Sequence, residues 1–178
     1  IGSNQRLNNS SLSDLLIEGV LRIAKEVGTI KAVSRFFETP AFPAGSGPNF
    51  VNAVLCVDAA RPADEILKQL HTIEHEMGRV RKKRWGQRTI DIDLIAVDSD
   101  IVPNPETYKK WQLLPIAQQT EIAPERLILP HPRMQDRAFV LGPLMDIWPD
   151  WIHPVIHQSA SQMFADLNVS DQSALSPL

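Results

Sequence analysis

Apolar residues recur along this chain with helical spacing in some stretches and strand-like spacing in others. Leu12, Leu15, Leu16, Val20, Ile23 and Val27 return at helical intervals, which predicts an amphipathic helix ending near Glu26. Ser10 or Ser11 can cap its start, Asp14 sits in its first turn, and Gly28 suits its C-terminal cap. A second helix starts at Pro62 and carries Ile66, Leu70, Ile73 and Met77 up to Gly78. Between and around the helices lie strand-like runs: residues 1–3 as the end of a strand, then 29–37, 49–58 and 90–97. Strand, helix, strand, strand, helix, strand is the order of a ferredoxin-like βαββαβ core. That is an α+β fold whose antiparallel sheet carries both helices on one face.

Beyond residue 98 the pattern predicts additional C-terminal helices and short strands. Residues 106–119 read as a short helix broken near Pro115, and 122–130 as loop and short strand. Residues 136–145 form a helix bent by Pro143, and 159–167 a last one. Residues 1–168 make a single domain on this reading, and the Ser-rich stretch 169–178 a flexible tail. The chain opens on Ile1 instead of Met, which implies residues upstream and leaves room for a fused polypeptide.

Composition narrows the classes. A formal net charge of -3 over 178 residues argues against a general nucleic-acid binder. The single cysteine, Cys56, cannot form an internal disulfide and falls in an apolar run. No stretch is long and apolar enough for a membrane span and no signal peptide is visible, so a cytoplasmic protein is expected. Glycine-rich nucleotide loops and His-Glu-x-x-His metal motifs do not occur.

The chemistry concentrates in residues 79–97. Six cations, Arg79, Arg81, Lys82, Lys83, Arg84 and Arg88, precede a strand that carries Asp91 and Asp93. Alternate strand residues share a face at roughly 6.6 Å, so Ile90, Ile92, Leu94 and Ala96 can pack inward while the two aspartates stand together opposite. Ile95 and Val97 make that second face apolar further along. Paired carboxylates repel unless they are protonated, exposed or bridged by a cation such as Mg²⁺, which would bring phosphate oxygens with it. Arginines upstream can hold other phosphate oxygens in bidentate fashion. A cationic run is also an ordinary solvated face, and the two opposite charges can simply neutralise each other. Elsewhere, Asn52 is a polar amide in an apolar strand and must find partners. The Pro- and Gly-rich loop 39–48, with Phe42 as an apolar anchor, suits a lid or a ligand wall. His131 stands between two prolines.

The run Arg79-Val80-Arg81 through Arg84-Trp85-Gly86-Gln87-Arg88-Thr89-Ile90-Asp91-Ile92-Asp93-Leu94 resembles the signature of the 6-hydroxymethyl-7,8-dihydropterin pyrophosphokinase family (2-amino-4-hydroxy-6-hydroxymethyldihydropteridine diphosphokinase). Gly2-Ser3-Asn4, Ser34-Arg35-Phe36-Phe37-Glu38-Thr39-Pro40, Asn49-Phe50-Val51-Asn52-Ala53 and Leu129-Pro130-His131 follow the family in order, through Leu144. The resemblance implies a ferredoxin-like core and a folate-pathway enzyme. Such an enzyme moves the terminal diphosphate of ATP to the pterin hydroxymethyl oxygen, releases AMP and uses two Mg²⁺ ions. It implies metal ligation by Asp91 and Asp93, and transferring-phosphate contacts from Arg81 and Arg88. On the nucleotide side it implies His71, Glu74, Arg79, Arg126, His131 and Arg137. On the pterin side it implies Asn52 reading the ring edge, Phe139 and Phe50 as aromatic partners, Trp85 as a lid aromatic, and Thr39 and Pro40 as a wall. Neither nucleic acid nor membrane is an implied partner, whereas fusion or association with other folate-pathway enzymes is.

Three departures stand out. Gln87 replaces a frequent proline, Pro132 a frequent aromatic, and residues 103–125 exceed the compact family pattern by about one helix. Three other classes remain open from sequence: a different Mg²⁺-dependent kinase or nucleotidyl transferase, a structural relative that has lost catalysis, and an RNA-binding module using an open sheet. In the last case two aspartates on the open face would repel phosphates unless a metal intervened.

Overall fold

The computed structural model describes residues 1–41, 45, 47–79, 86–115, 118 and 122–178. Helix α1 (Leu12–Glu26) starts at Ser11, which forms a capping box with Asp14: Asp14 N donates to Ser11 Oγ at 3.1 Å and Ser11 N to Asp14 Oδ2 at 2.9 Å. It ends on Val27, not on a glycine in the left-handed region. Gly28 serves close packing instead, since a Cβ there would stand 2.3 Å from the carbonyl oxygen of Asp58. Helix α2 (Ala63–Glu76) does end at a glycine with positive φ, Gly78 at 78°.

Both central strands break. Residues 29–37 form β2 (Thr29–Val33) and β3 (Phe37–Thr39), and residues 49–58 form β4 (Phe50–Asn52) and β5 (Leu55–Asp58). The cause lies at Ser34. Its backbone N–H donates to Val54 O at 3.0 Å, but Val54 N donates to the Ser34 hydroxyl oxygen at 3.0 Å, so a side chain replaces a main-chain acceptor. The ladder therefore divides into a two-stranded sheet of β2 and β5 and a larger sheet in the order β1-β4-β3-β6, with β1 at Gly2–Ser3.

The fourth core strand is expected over residues 90–97, but only Asp91 pairs. It exchanges backbone bonds with Gly2 at 2.8 and 2.7 Å and so lies beside β1. Further along, Ile92 N–H goes to the Glu74 carboxylate at 2.7 Å, and Ile95 O accepts from His131 N at 2.6 Å. These side-chain and loop partners take the place of a neighbouring strand. With Asp91 at the edge, the order 91-β1-β4-β3 is that of a ferredoxin-like core.

Residues 169–178 are not a loose tail. They form helix α6 (Val169–Ser173) and strand β6 (Ser176–Pro177), which pairs antiparallel with β3, Phe37 facing Pro177 and Glu38 facing Ser176. The edge of β3 offers unpaired backbone groups, and Leu178 N adds a bond to Phe36 O at 2.9 Å.

Alternation divides two cores. Val51, Ala53, Ile90 and Ile92 pack with Leu16, Ile23, Leu70 and Ile73 under α1 and α2. Val54 and Ile95 pack with Leu141, Leu144, Trp151 and Met163 on the other side. There helix α4 (Ala138–Ile147), preceded by a 3-10 turn at Met134–Asp136, lies against β3, β4 and β5. Helices α3 (Pro105–Gln112) and α5 (Ala160–Ala165) complete this layer.

One buried polar contact ties α3 to the C-terminal segment. His153 Nδ1 accepts from Val155 N at 3.1 Å and Ile156 N at 3.2 Å, so the neutral ring carries its proton on Nε2 and donates it to Tyr108 Oη at 2.9 Å. Both residues are fully buried. Burial pushes the His153 imidazole down to about 4. A histidine whose folded pKa lies below its unfolded value binds fewer protons when folded. Its stabilising effect is therefore present above about 6.5 and is lost as pH falls toward about 4. Tyr108→Phe should cost about 1–3 kcal/mol in urea unfolding at pH 7, because the buried Nε2–H loses its acceptor. In wild type, His153→Phe should flatten the fall in stability between pH about 6.5 and 4; an unchanged slope would show that this ring does not govern it.

Candidate functional site

On the α4 side of the sheet a cleft of about 570 Å³ opens, and three groups of residues line it. Thr39 and Pro40 at the end of β3, Phe50 and Asn52 of β4, and Phe139 of α4 form one group. Arg88, Asp91, Asp93, His131 and Arg137 form a charged group. Trp111 of α3 forms the third group with Ile122, Pro124, Arg126, Leu127 and Arg133 of the chain between α3 and α4.

Asn52 is buried, and its Nδ2 donates to the Thr39 hydroxyl at 2.7 Å. Gly2 makes the room for it, since a Cβ on Gly2 would lie 2.4 Å from Asn52 Oδ1. An amide held in this way still presents donor and acceptor capacity to a heterocycle. Nearby, the Arg137 guanidinium lies over the Phe139 ring at 5.6 Å from its centroid.

The charged group rests on an ionic chain beneath it. Glu74 falls four residues after Leu70 on the inward stripe of α2, and only 3% of its side chain is exposed. Its carboxylate accepts from Ile92 N at 2.7 Å and from the Arg79 guanidinium. Arg79 Nη1 lies 2.7 Å from Asp91 Oδ1, a charge contact without hydrogen-bond alignment, and Arg88 bonds the other Asp91 oxygen. Burial pushes the Glu74 carboxyl up, against the pull of Ile92 N–H and Arg79.

Asp93, in contrast, is exposed to the cleft. Its walls desolvate the carboxyl and push it up, but His131, Arg137 and Arg88 pull harder and hold it below its ordinary value. It is ionised at neutral pH. His131 Nδ1 accepts from Arg133 N at 3.1 Å, and its Nε2 lies 3.4 Å from Arg137 Nη1. Burial, and then Arg137, push this imidazole down to about 4, against the pull of Asp93.

Among the described residues no group of three or more His, Cys, Asp or Glu side chains forms a metal cluster. Mg²⁺ does not require one, because it keeps waters and takes one or two carboxylates together with substrate phosphates. An ionised Asp93 on the cleft wall beside Asp91 fits that donor set.

Of the residues expected at the site, Thr39, Pro40, Phe50, Asn52, His71, Arg88, Asp91, Asp93, Arg126, His131, Arg137 and Phe139 line the one cleft. Glu74 and Arg79 do not line it. They were expected on the nucleotide side, but the inward stripe of α2 sets Glu74 in the core, and Arg79 follows as its counter-ion. Arg81 and Trp85 lie outside the described residues. Sequence reasoning missed Trp111 and Arg133, and it gave Asn4 no role of its own. Asn4 is buried: its Oδ1 accepts from Arg88 N at 2.8 Å and its Nδ2 donates to Pro48 O at 3.1 Å.

Glu74→Gln keeps an acceptor for Ile92 N–H and removes the charge opposite Arg79. The variant should lose about 3 kcal/mol of unfolding free energy in a urea titration. A midpoint equal to wild type would mean that the ionic chain does not support this wall.

The model of the family 7,8-dihydro-6-hydroxymethylpterin-pyrophosphokinase (HPPK) matches residues 1–149. The chain is 32% identical over 121 residues to the 2-amino-4-hydroxy-6-hydroxymethyldihydropteridine pyrophosphokinase of Haemophilus influenzae, covering 68% of this chain and 63% of that protein. It is 36% identical over 107 residues to the protein of that name from Synechocystis, covering 60% of this chain and 45% of that one. The chain thus spans less than two thirds of the length of these relatives. The solved structure of wild-type Plasmodium falciparum HPPK-DHPS with SDX-DHP superposes with a TM-score of 0.58 at 18% identity, over 92% of this chain and 42% of that chain. That likeness bears on the fold, and it agrees with the antiparallel α+β arrangement. By the match over residues 1–149, the chain belongs to the 7,8-dihydro-6-hydroxymethylpterin-pyrophosphokinase family.

Proposed function

We propose that this chain transfers the terminal diphosphate of ATP to the hydroxymethyl oxygen of 6-hydroxymethyl-7,8-dihydropterin, giving AMP and the pterin diphosphate for folate biosynthesis. The observation that carries the reading is one cleft lined by an amide-and-aromatic group, Asn52, Thr39, Phe50 and Phe139, and by the carboxylate–arginine group of Asp91, Asp93 and Arg88. The first suits a flat heterocycle with donors and acceptors on its edge, the second a polyphosphate.

Asn52 and Thr39 read the pterin edge, Pro40 closes the wall behind it, and Phe50 and Phe139 cover its faces, with Trp85 as a lid. Asp91 and Asp93 are the donors for Mg²⁺, taken as two ions, which when bound neutralise phosphate charge. Arg88 meets charge that develops on the transferring phosphates, and Arg81 joins it from the family signature. His131, neutral at pH 7, adds no charge to the nucleotide side, which Arg126, Arg137 and His71 complete. Glu74 and Arg79 act from beneath, by fixing Asp91. The hydroxymethyl proton needs no protein base, because positioning and electrostatics supply the rate. A reaction that consumes ATP suits a cytoplasmic location, and no described helix is long and apolar enough to cross a membrane. A further folate-pathway domain, in fusion or association, suits the reading as well, since the Plasmodium relative is HPPK-DHPS.

The test is a nucleotide-product assay with ATP, Mg²⁺ and 6-hydroxymethyl-7,8-dihydropterin. AMP should form only when the pterin is present, and Asp93→Asn should lower its rate by at least about 100-fold. Asn52→Ala should raise KM for the pterin by about tenfold and leave KM for ATP unchanged. ADP in place of AMP would overturn the reaction type, and no product would overturn the activity.

A further inference from the structure

The chain leaves the fold after Val102 and returns to it at Leu129. Val102 and Leu129 bridge across the base, Val102 N donating to Leu129 O at 2.9 Å and Leu129 N to Val102 O at 3.1 Å. Within this excursion α3 is held at several places. Asn104 caps it by accepting from Thr107 N at 2.9 Å, and Tyr108 is fixed in the core by His153. Three residues further on, Trp111 emerges on the same side of the helix and lines the cleft. Lys109 and Lys110, between them, are exposed. After the helix, the Arg133 guanidinium donates to Leu114 O, and Arg133 also lines the cleft. The returning limb adds Ile122, Arg126 and Leu127 to the same wall.

A large indole set on an anchored helix beside apolar side chains and two guanidiniums suits a flat base that carries a phosphate tail. The polar edge-reading pair Asn52 and Thr39 belongs to the pterin group. Trp111 has no part in that group or among the carboxylates. We infer that Trp111 is a base-binding residue: its indole stacks on the purine of the nucleotide substrate, and with Ile122, Arg126 and Leu127 it forms a base wall anchored through Tyr108 and Arg133. The identity of the nucleotide rests on the transferase reading above.

The test measures binding to the full chain by calorimetry, with Mg²⁺ and two probes. One is an ATP analogue with a methylene bridge between its α and β phosphorus atoms, and the other is inorganic triphosphate, which lacks a base. Trp111→Leu keeps apolar bulk in the wall and removes the π face; Trp111→Phe keeps a smaller π face. Trp111→Leu should weaken the analogue about tenfold and move triphosphate by less than about twofold. Trp111→Phe should stay within about threefold of wild type for both probes. In the product assay, KM for ATP should rise in Trp111→Leu while KM for the pterin holds. Analogue binding equal to wild type, equal losses for both probes, or a rise in pterin KM would each overturn the assignment. A wild-type chain that binds the analogue but forms no AMP would overturn the transferase reading alone, since the comparison of the two probes needs no turnover.

Discussion

Three carboxylates, Glu74, Asp91 and Asp93, converge on the wall between the core and the cleft, and the cations among them decide what each can do. Glu74 and Arg79 are withdrawn from water, and such a pair has a desolvation penalty that rivals its attraction. The pair is therefore poor as a source of stability and effective as a fixture. Glu74 holds a backbone N–H that no strand supplies, Arg79 reaches from Glu74 to Asp91, and Arg88 closes on Asp91 from the cleft side. Asp91 enters the cleft already matched with cations. Asp93 enters it ionised and open, a carboxylate of the kind a hard cation can take.

Sheet register sets the distance from that wall to the amide end. Gly2 faces Asn52 on one side and bridges to Asp91 on the other, so one residue of β1 spans from the buried amide to the first aspartate. Asn4, just beyond, holds Arg88 N and Pro48 O with one side chain, joining residue 48 to residue 88. A shift of the 86–88 backbone is thereby felt at residue 48.

Element order was legible because α1 and α2 announce themselves by period and by their ends, and because Asp91 and Asp93 alternate with Ile90 and Ile92. Local signals reach no further than a few residues. The breaks at Ser34 and Val54 depend on a hydroxyl crossing between strands, and β6 depends on a free edge of β3 far away in sequence. Glu74 was read as a site residue from family position, although its place four residues after Leu70 already put it on the core stripe. Trp111 carries no local mark of function. Only the bridge of Val102 to Leu129 and the burial of Tyr108 turn its helix toward the cleft.

The structure also bears on the reading of this fold as an RNA-binding module, which needs a broad open sheet for stacked bases. Here α4 lies across β3, β4 and β5, and Val54 and Ile95 are packed into the core beneath it. What stays accessible on that side is a cleft with ionised Asp93 in its wall. A phosphate chain without metal would meet that carboxylate at close range, whereas a chelated polyphosphate would find two aspartates as further donors. The same covering layer that removes the sheet face supplies Arg137 and Phe139 to the cleft. The helix that closes the sheet to a strand of bases thus helps to form the cleft proposed for one heterocycle and one nucleotide.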